Sequence, residues 1–242
     1  MNGKVRYPLR LTAMLYLLDY GAGNIQSLAN SLTKLGYTYE WVREPSDISK
    51  ADKLLFPGVG SFASAMDALH AKGYVEPLRA YIQSGKPLMG ICVGMQVLFE
   101  GSDESPGVQG LGIVPARVGR FATQDAFGRK AVPHMGWSLA NVVEWDGCAD
   151  QRHELAKSYG MHDANPSHYY FVHSYRVAWD ANVAEWALTT TQYGNEVFVS
   201  SIQHANVFAT QFHPEKSGQA GLDLLAAWLR LEHVEPCLLY TS

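Results

Sequence analysis

The feature that most constrains this chain is the motif Gly90-Ile91-Cys92-Val93-Gly94, whose cysteine directly follows the short apolar run Pro87–Ile91. The apolar run favours a buried strand, and Met95–Phe99 favours the start of a helix. A strand that passes at once into a helix needs small residues around its apex, because a Cβ there would clash within the turn. We therefore predict a sharp turn with Cys92 at its apex. Its sulfur should be exposed near a helix N-terminus, whose partial positive charge favours a thiolate.

The first hundred residues alternate between strand-like and helix-like segments. The predicted strands are Met14–Asp19, Tyr37–Val42, Lys53–Phe56 and Pro87–Ile91, and the predicted helices are Ile25–Leu35, about Phe62–Leu69 and about Val75–Gln83. Such alternation is typical of a parallel sheet.

In the second half, strand-like runs are separated by turns rich in Gly, Asn and Asp. These runs are Gly112–Val118, Asn141–Glu144, Tyr169–Arg176, Ala187–Thr191, Val197–Ser201 and Val207–Gln211, and a helical period at Gly218–Leu231 follows them. This pattern indicates antiparallel strands added to one side of the sheet. We therefore predict an α/β fold with an open, mostly parallel mixed sheet and helices on both faces.

Length and composition limit the classes of protein. The 242 residues fit one large domain, which we place at 14–232, with an N-terminal extension at 1–13 and a tail at 233–242. The formal net charge of −4 gives no electrostatic reason for a nucleic-acid partner. Since no apolar run approaches the ~20 residues that span a bilayer, we expect no membrane partner either.

Cysteine usage suggests a compartment. The three cysteines are too few, and odd in number, for a secreted disulfide framework, so we expect the cytoplasm. A plastid location would follow if the basic residues Lys4, Arg6 and Arg10 were the remainder of a transit peptide.

A second motif provides the group that a cysteine nucleophile requires. Gln211-Phe212-His213-Pro214-Glu215 follows the apolar run Val207–Thr210. Side chains two apart on extended backbone point to the same side, so Glu215 could orient His213 and His213 could take the proton of Cys92. A core cysteine and a surface histidine are the competing interpretations. The repeated order of strand, reactive residue and helix favours a triad at one edge of the sheet.

Attack on a carbonyl also requires donors for the developing oxyanion. The N–H of Val93, next to the nucleophile, is one candidate. The N–H of Val59 in the turn Pro57-Gly58-Val59-Gly60 is another, because that turn follows a neighbouring strand. Gly58 and Gly60 would let the turn reorient a peptide plane, although taken alone this motif is an ordinary turn.

Three motifs together resemble the class I glutamine amidotransferases, whose fold is flavodoxin-like. They are PGVGSF at Pro57–Phe62, GICVGMQ at Gly90–Gln96 and QFHPEKS at Gln211–Ser217. Within that family the chain is most similar to the glutaminases of imidazole glycerol phosphate synthases. That similarity rests on DYGAGN at Asp19–Asn24, PHMGW at Pro133–Trp137 and YFVHSY at Tyr170–Tyr175.

The resemblance implies a reaction and a set of roles. Cys92 would attack the side-chain amide of glutamine, and His213, held by Glu215, would move the protons. Gln96 and Glu104 would bind the amino-acid end of the substrate, and Ser174 and Tyr175 would offer backbone contacts. The resemblance implies no cofactor and no metal.

The resemblance also implies a partner. Ammonia would pass to a (β/α)₈ cyclase, either a separate subunit or a fused domain, which makes imidazole glycerol phosphate and the aminoimidazole carboxamide ribotide in histidine biosynthesis. Met135–Trp137 and Tyr169–Phe171 are candidates for that interface and equally for the core. The segment Trp145–Ser167 departs from the shorter pattern of the family.

Other functions remain open on the sequence. The chain could serve another acceptor, such as chorismate in an anthranilate synthase, or be a non-catalytic regulatory domain, a peptidase or a γ-glutamyl hydrolase. The motifs PHMGW and YFVHSY favour the first assignment. The presence of Cys92, His213 and Glu215 together disfavours an inactive domain.

Overall fold

A computed structural model describes residues 13–21, 25–126, 128–143, 149–161 and 167–231. The proposed N-terminal extension and the tail at 233–242 lie outside these ranges, apart from residue 13 of the extension. Parts of the segment Trp145–Ser167, the last residue of the predicted strand Asn141–Glu144, and Cys148 and Cys237 also lie outside them. No helix in the described ranges is long and apolar enough to cross a membrane.

The described elements are as follows. The strands are β1 (Leu15–Leu18), β2 (Glu40–Val42), β3 (Lys53–Gly58), β4 (Leu88–Cys92), β5 (Phe99–Ser102), β6 (Val114–Arg120), β7 (Gln124–Asp125), β8 (Gly128–Arg129), β9 (His134–Leu139), β10 (Asn141–Val142), β11 (His168–His173), β12 (Tyr175–Arg176), β13 (Ala187–Tyr193), β14 (Glu196–His204) and β15 (Val207–Thr210). The helices are α1 (Gln26–Lys34), α2 (Pro45–Lys50), α3 (Phe62–Ala71), α4 (Val75–Gln83), α5 (Val93–Gln96), α6 (Ala149–Ser158) and α7 (Gly218–Arg230).

The main sheet has eight strands in the order β10-β13-β14-β15-β4-β3-β1-β2. The pairs β2–β1, β1–β3, β3–β4 and β4–β15 are parallel. The strands β14, β13 and β10 extend the sheet beyond β15 through antiparallel pairs. The predicted fold class, a mostly parallel sheet with antiparallel strands added in the second half, is therefore confirmed.

The register of the central strands determines where the site forms. Every residue of β3, β4 and β15 is buried, as expected for strands covered on both faces. Gly58 at the end of β3 pairs with Cys92 at the end of β4, and Thr210 at the end of β15 pairs with Ile91. The carboxyl ends of three parallel strands thus meet at one edge of the sheet.

The prediction for the chain after Cys92 was wrong. The helix begins at Val93 and ends at Gln96, and the strand β5 follows where a continuing helix was expected. The Leu98 carbonyl accepts the N–H groups of both Ile113 and Val114. Pairing with a distant segment therefore replaces the local helical preference of Met95–Phe99.

Several further elements were not anticipated, namely α2, β7, β8, β9 and α6. The helix α2 is short and begins with a proline, so it carries little periodicity. The strand β9 includes the motif PHMGW from His134 onward and pairs antiparallel with β11 in a separate two-stranded sheet.

The helix α6 occupies part of the segment that departs from the family pattern. The residue that follows it, Tyr159, is fully buried, and its ring stacks on Phe208 of the central sheet at 4.3 Å. The Tyr159 hydroxyl donates to Gln203 Oε1 at 2.7 Å. This part of the segment therefore packs against the fold as a structural element.

Candidate active site

The nucleophile turn has the strained backbone that the sequence predicts. Cys92 has φ 56° and ψ −108°, a conformation that side-chain-bearing residues rarely adopt. A Cβ on Gly94 would overlap the Phe56 carbonyl oxygen, and a Cβ on Gly90 would lie 2.8 Å from the Gly94 carbonyl oxygen. The turn can therefore form only with glycine at both positions.

The sulfur is less accessible than expected, and its surroundings differ. Cys92 is 5% exposed, because the segments after β3 and β15 cover it on either side. The helix α5 has only four residues, so its dipole is a weak source of positive charge. The nearby charged group is instead the imidazole of His213.

The imidazole and the carboxylate of the proposed triad are in contact. His213 Nδ1 lies 2.8 Å from Glu215 Oε1, and both side chains are nearly covered, at 2% and 9% exposure. The N–H of His213 donates to the Tyr170 carbonyl at 2.9 Å, and Ser217 Oγ donates to the His213 carbonyl at 2.6 Å. The segment from His213 to Ser217 is thus held by backbone hydrogen bonds as well as by side-chain contacts.

The charge state of His213 follows from its neighbours. Burial lowers the pKa of His213, but the charge of Cys92, a hydrogen bond to Cys92 and the hydrogen bond to Glu215 outweigh it and raise the pKa to about 10. Since Glu215 occupies Nδ1, the nitrogen left for the sulfur is Nε2. The arrangement favours a protonated His213 imidazolium beside Cys92 at neutral pH.

The candidate oxyanion turn lies against the nucleophile turn. A Cβ on Gly58 would lie 2.6 Å from the Gly94 nitrogen and 2.9 Å from Val93 Cβ. Val59 is half-buried, and Gly60 has φ 100°, the left-handed region that glycine tolerates best. Gly58 thus lies beside Cys92 in the sheet, next to Val93, and Val59 lines the same crevice as His213, whereas Gly60 is exposed.

The candidate substrate residues Gln96, Ser174 and Tyr175 make hydrogen bonds within the protein. Gln96 is 4% exposed, and its Nε2 donates to the Tyr175 carbonyl at 3.1 Å. Ser174 separates β11 from β12, and its carbonyl accepts the N–H of Phe121 at 3.1 Å. The carbonyls of Ser174 and Tyr175 are therefore already engaged within the protein.

Glu104 is tied to the oxyanion turn. Its Oε2 accepts the N–H of Phe62, the first residue of α3, at 2.8 Å. Phe62 lies two residues after Gly60, so this half-buried carboxylate anchors the chain that leaves the turn. In the described part of the chain, the second carboxylate oxygen of Glu104 makes no hydrogen bond.

Gln211 is a site residue that the sequence does not single out as functional. Its Nε2 donates to Cys92 Sγ at 3.7 Å, on the side where β15 ends. The available signal was its position directly after a strand that ends at the same edge as Cys92. Nothing in the sequence shows which way a glutamine side chain at that position points.

The motifs PHMGW and YFVHSY contribute to both surface and core. Met135 and Trp137 on β9 are 62% and 54% exposed, whereas Tyr169 and Phe171 on β11 are buried. Tyr170 is half-buried, and its ring meets that of Trp137 edge-on at 6.0 Å. Of the candidate interface residues, Met135, Trp137 and Tyr170 thus face outward.

A narrow crevice adjoins the triad. It is lined by Ile25, Leu28, Pro57, Gly58, Val59, Ile91, His213 and Glu215. Across the described ranges, no three His, Cys, Asp or Glu side chains are grouped as metal ligands.

Comparison with known protein sequences identifies relatives over most of the chain. The family model for glutamine amidotransferase class-I matches residues 16–229. The chain is 47% identical over 217 residues to "Imidazole glycerol phosphate synthase hisHF" of Emericella nidulans, which covers 88% of this chain and 37% of that protein. It is 46% identical over 213 residues to the enzyme of Arabidopsis thaliana named "hisHF, chloroplastic", with 88% and 33% covered.

A shorter relative matches over nearly its whole length. The chain is 41% identical over 218 residues to "Imidazole glycerol phosphate synthase subunit HisH" of Methanothermobacter thermautotrophicus, with 90% of this chain and 98% of that subunit covered. The chain thus spans about a third of the length of the hisHF relatives and nearly all of this HisH subunit.

Solved structures share the fold. "Crystal structure of glutamine amidotransferase" superposes with a TM-score of 0.62 at 20% identity, covering 88% of this chain and 98% of that one. The glutaminase domain of Trypanosoma brucei CTPS with bound acivicin gives a TM-score of 0.58 at 16% identity, with 93% and 97% covered.

Proposed function

Because the chain belongs to the class I glutamine amidotransferases, we propose that it hydrolyses glutamine to glutamate and ammonia through Cys92, His213 and Glu215. The observation that carries the proposal is the strained Cys92 at the end of β4, beside an imidazole that a carboxylate holds at 2.8 Å. A nucleophile, a base and an orienting group within contact are what acyl transfer from an amide requires.

The reaction follows in two steps. The Cys92 sulfur adds to the amide carbon of glutamine, and His213 gives its proton to the departing ammonia, leaving a γ-glutamyl thioester. Water then adds to the thioester while His213 accepts its proton, so that glutamate leaves and the thiolate returns. The N–H groups of Val59 and Val93 stabilise the oxyanion in both steps.

Substrate recognition extends the same proposal. Both donors of Gln96 are engaged within the protein, so this side chain contacts glutamine through its Oε1, as an acceptor for the α-ammonium. Glu104, attached to the chain that leaves the oxyanion turn, adds negative charge on the same side. Ser174 and Tyr175 contribute through their N–H groups, which suit the substrate carboxylate.

We propose a (β/α)₈ cyclase of histidine biosynthesis as the partner that receives the ammonia. The support is the naming of the relatives as imidazole glycerol phosphate synthases, both as HisH subunits and as longer hisHF proteins. The exposed Met135 and Trp137 are the docking residues, and the cytoplasm is the location we propose, with the plastid as the alternative suggested by the Arabidopsis relative. Because Cys92 is covered, the isolated chain should turn over slowly until the partner docks.

The experiment is a glutaminase assay with and without a candidate cyclase barrel and the cyclase ligand. Glutamate release should be weak for the chain alone and rise on addition of both. The Cys92→Ala variant should release no glutamate, yet the complex should still form product when ammonia is supplied directly. Glutamate release by this variant at the parent rate would disprove the mechanism, and equal rates with and without the barrel would disprove the partner.

A further inference from the structure

We propose that Gln211 is a further catalytic residue, whose side-chain amide donates a fixed hydrogen bond to the reacting sulfur of Cys92. This inference rests on the proposed function, because it assigns a role at the same nucleophile. The Nε2 to Sγ distance is 3.7 Å, which is normal for a donor to sulfur. Gln211 is 1% exposed, so water does not compete for the contact.

The register of the sheet places this amide. The strand β15 runs parallel to β4 with Thr210 beside Ile91, so the next residue on each strand brings Gln211 beside Cys92. The Gln211 N–H donates to the Ser200 carbonyl at 2.9 Å, which fixes the backbone from the other side. The sulfur thus has Gly58 on the β3 side and Gln211 on the β15 side.

The Tyr175 carbonyl determines which end of the Gln211 amide faces Cys92, and it does so through Gln96. The Tyr175 carbonyl can only accept, so the group of Gln96 that faces it at 3.1 Å must be the NH₂. That same NH₂ lies 2.9 Å from the Gln211 side chain, which must therefore present its oxygen. The NH₂ of Gln211 is then left facing Cys92, and a reversed amide would set donor against donor.

A second set of contacts holds the same carbonyl. His173 Nδ1 lies 2.8 Å from the Tyr175 oxygen, so it carries a proton, and its Nε2 accepts from His134 Nδ1 at 3.3 Å. His134 Nε2 in turn accepts from the hydroxyl of Ser138 at 3.0 Å. Every group in this chain of contacts has one consistent donor and acceptor role, so the Tyr175 carbonyl is well fixed.

A fixed N–H aimed at the sulfur favours the thiolate over the thiol, because a hydrogen bond to the charged form stabilises it more. It also limits the positions that the sulfur can take relative to His213. The amide of Gln211 carries no charge and cannot exchange a proton with the imidazole. Its role is therefore distinct from that of Glu215.

The test is the pH dependence of alkylation of Cys92 by iodoacetamide in the intact protein, with peptide mapping to separate Cys92 from Cys148 and Cys237. Gln211→Met keeps the volume and removes the donor. The pH of half-maximal reaction should rise by about one unit. Gln211→Glu still accepts from Gln96 but places negative charge beside the sulfur, so its midpoint should rise further.

Gln203→Met is the matched control. Gln203 also uses both ends of its amide, accepting from the Tyr159 hydroxyl at 2.7 Å and donating to the Ala205 carbonyl at 2.6 Å. Its replacement should reduce stability without moving the alkylation midpoint. In the glutaminase assay, Gln211→Met should lower kcat by roughly tenfold with little change in KM.

An unchanged alkylation midpoint in folded Gln211→Met and Gln211→Glu would overturn the proposal. So would failure of both to fold while the Gln203→Met control folds, since Gln211 would then be a core residue. If the parent protein releases no glutamate but the midpoints shift as stated, the proposed function fails and the contact to the sulfur stands.

Discussion

The backbone N–H of His213 donates to the carbonyl of Tyr170 at 2.9 Å. Tyr170 lies on β11, and its ring meets that of the exposed Trp137 on the paired strand β9. One hydrogen bond and one ring contact therefore separate the proposed docking surface from the proposed base. A partner that moves or rigidifies the β9–β11 pair would act on His213 at short range.

Replacement of Trp137 should weaken binding of the partner without changing the activity of the isolated chain. Trp137→Ala removes the largest exposed aromatic side chain of the surface, and truncation of such anchors costs about 2 kcal/mol or more. We expect the affinity for the cyclase barrel to fall at least about tenfold, as measured by titration, with unchanged glutaminase activity of the isolated chain. Met14→Ala is the control, because Met14 is 48% exposed at the opposite end of the parallel strands. Equal losses in both variants would rule out the assigned surface.

Alanine at Gly94 should prevent the nucleophile turn from forming. Its Cβ would overlap the Phe56 carbonyl oxygen, and the nearest atoms all belong to the backbone of Phe56 and Pro57, so no flexible side chain can move aside. We expect a loss of unfolding free energy of about 3 kcal/mol or more in chemical denaturation. Gly107→Ala should change stability by less than about 0.5 kcal/mol, because its Cβ would meet nothing within 4 Å and its φ is not left-handed. A Gly94→Ala variant as stable as the parent would contradict the close packing of the turn.

Loss of the Glu215 carboxylate should lower both the rate and the pKa of His213. Glu215→Gln keeps the shape but removes the partner of Nδ1, so we expect kcat to fall by about 10²–10⁴-fold. The interactions that raise the pKa of His213 stabilise the folded protein fully at pH values below about 6.5. This stabilisation is lost as the pH rises through about 10. Titration of the His213 ring by NMR should give a lower midpoint in the variant than in the parent. An unchanged midpoint would show that Glu215 does not hold the imidazolium.

The two buried histidines should make the protein sensitive to acid. Burial lowers the pKa of His134 to about 4, with a further contribution from Lys130, and burial lowers the pKa of His173 to about 3. For a lowered histidine pKa, the unfolded chain binds more protons below about 6.5, so stability declines as the pH falls from 6.5 towards 4. The Tm of His134→Phe, which keeps an aromatic ring against Tyr193, should decline less over this range than that of the parent. Parallel declines would show that His134 does not titrate in this way.

The sequence predicts those features that depend on local geometry. Gly90 and Gly94 signal the sharp turn because their missing Cβ atoms are required within a few residues of Cys92, and α7 was placed to within one residue. Features set by distant contacts were missed. The helix after Cys92 ends early because Leu98 pairs with residues near Val114, which a local period does not contain.

The candidate site also combines features set by local geometry with features set by distant contacts. The burial of His173 follows from the local alternation of β11, which places it on the same covered face as Tyr169 and Phe171. The contact of Gln211 with Cys92 spans 119 positions and depends on the register of β15 beside β4, which the sequence does not specify. The burial of the sulfur has the same origin.

The most direct test of the account is mass spectrometry of the protein quenched with acid during glutamine turnover. We predict a γ-glutamyl adduct on the peptide that contains Cys92, which disappears when glutamine is exhausted and is missing in Cys92→Ala. Steady release of glutamate with the adduct on another residue, or by the Cys92→Ala variant, would contradict the assignment of Cys92 as the nucleophile.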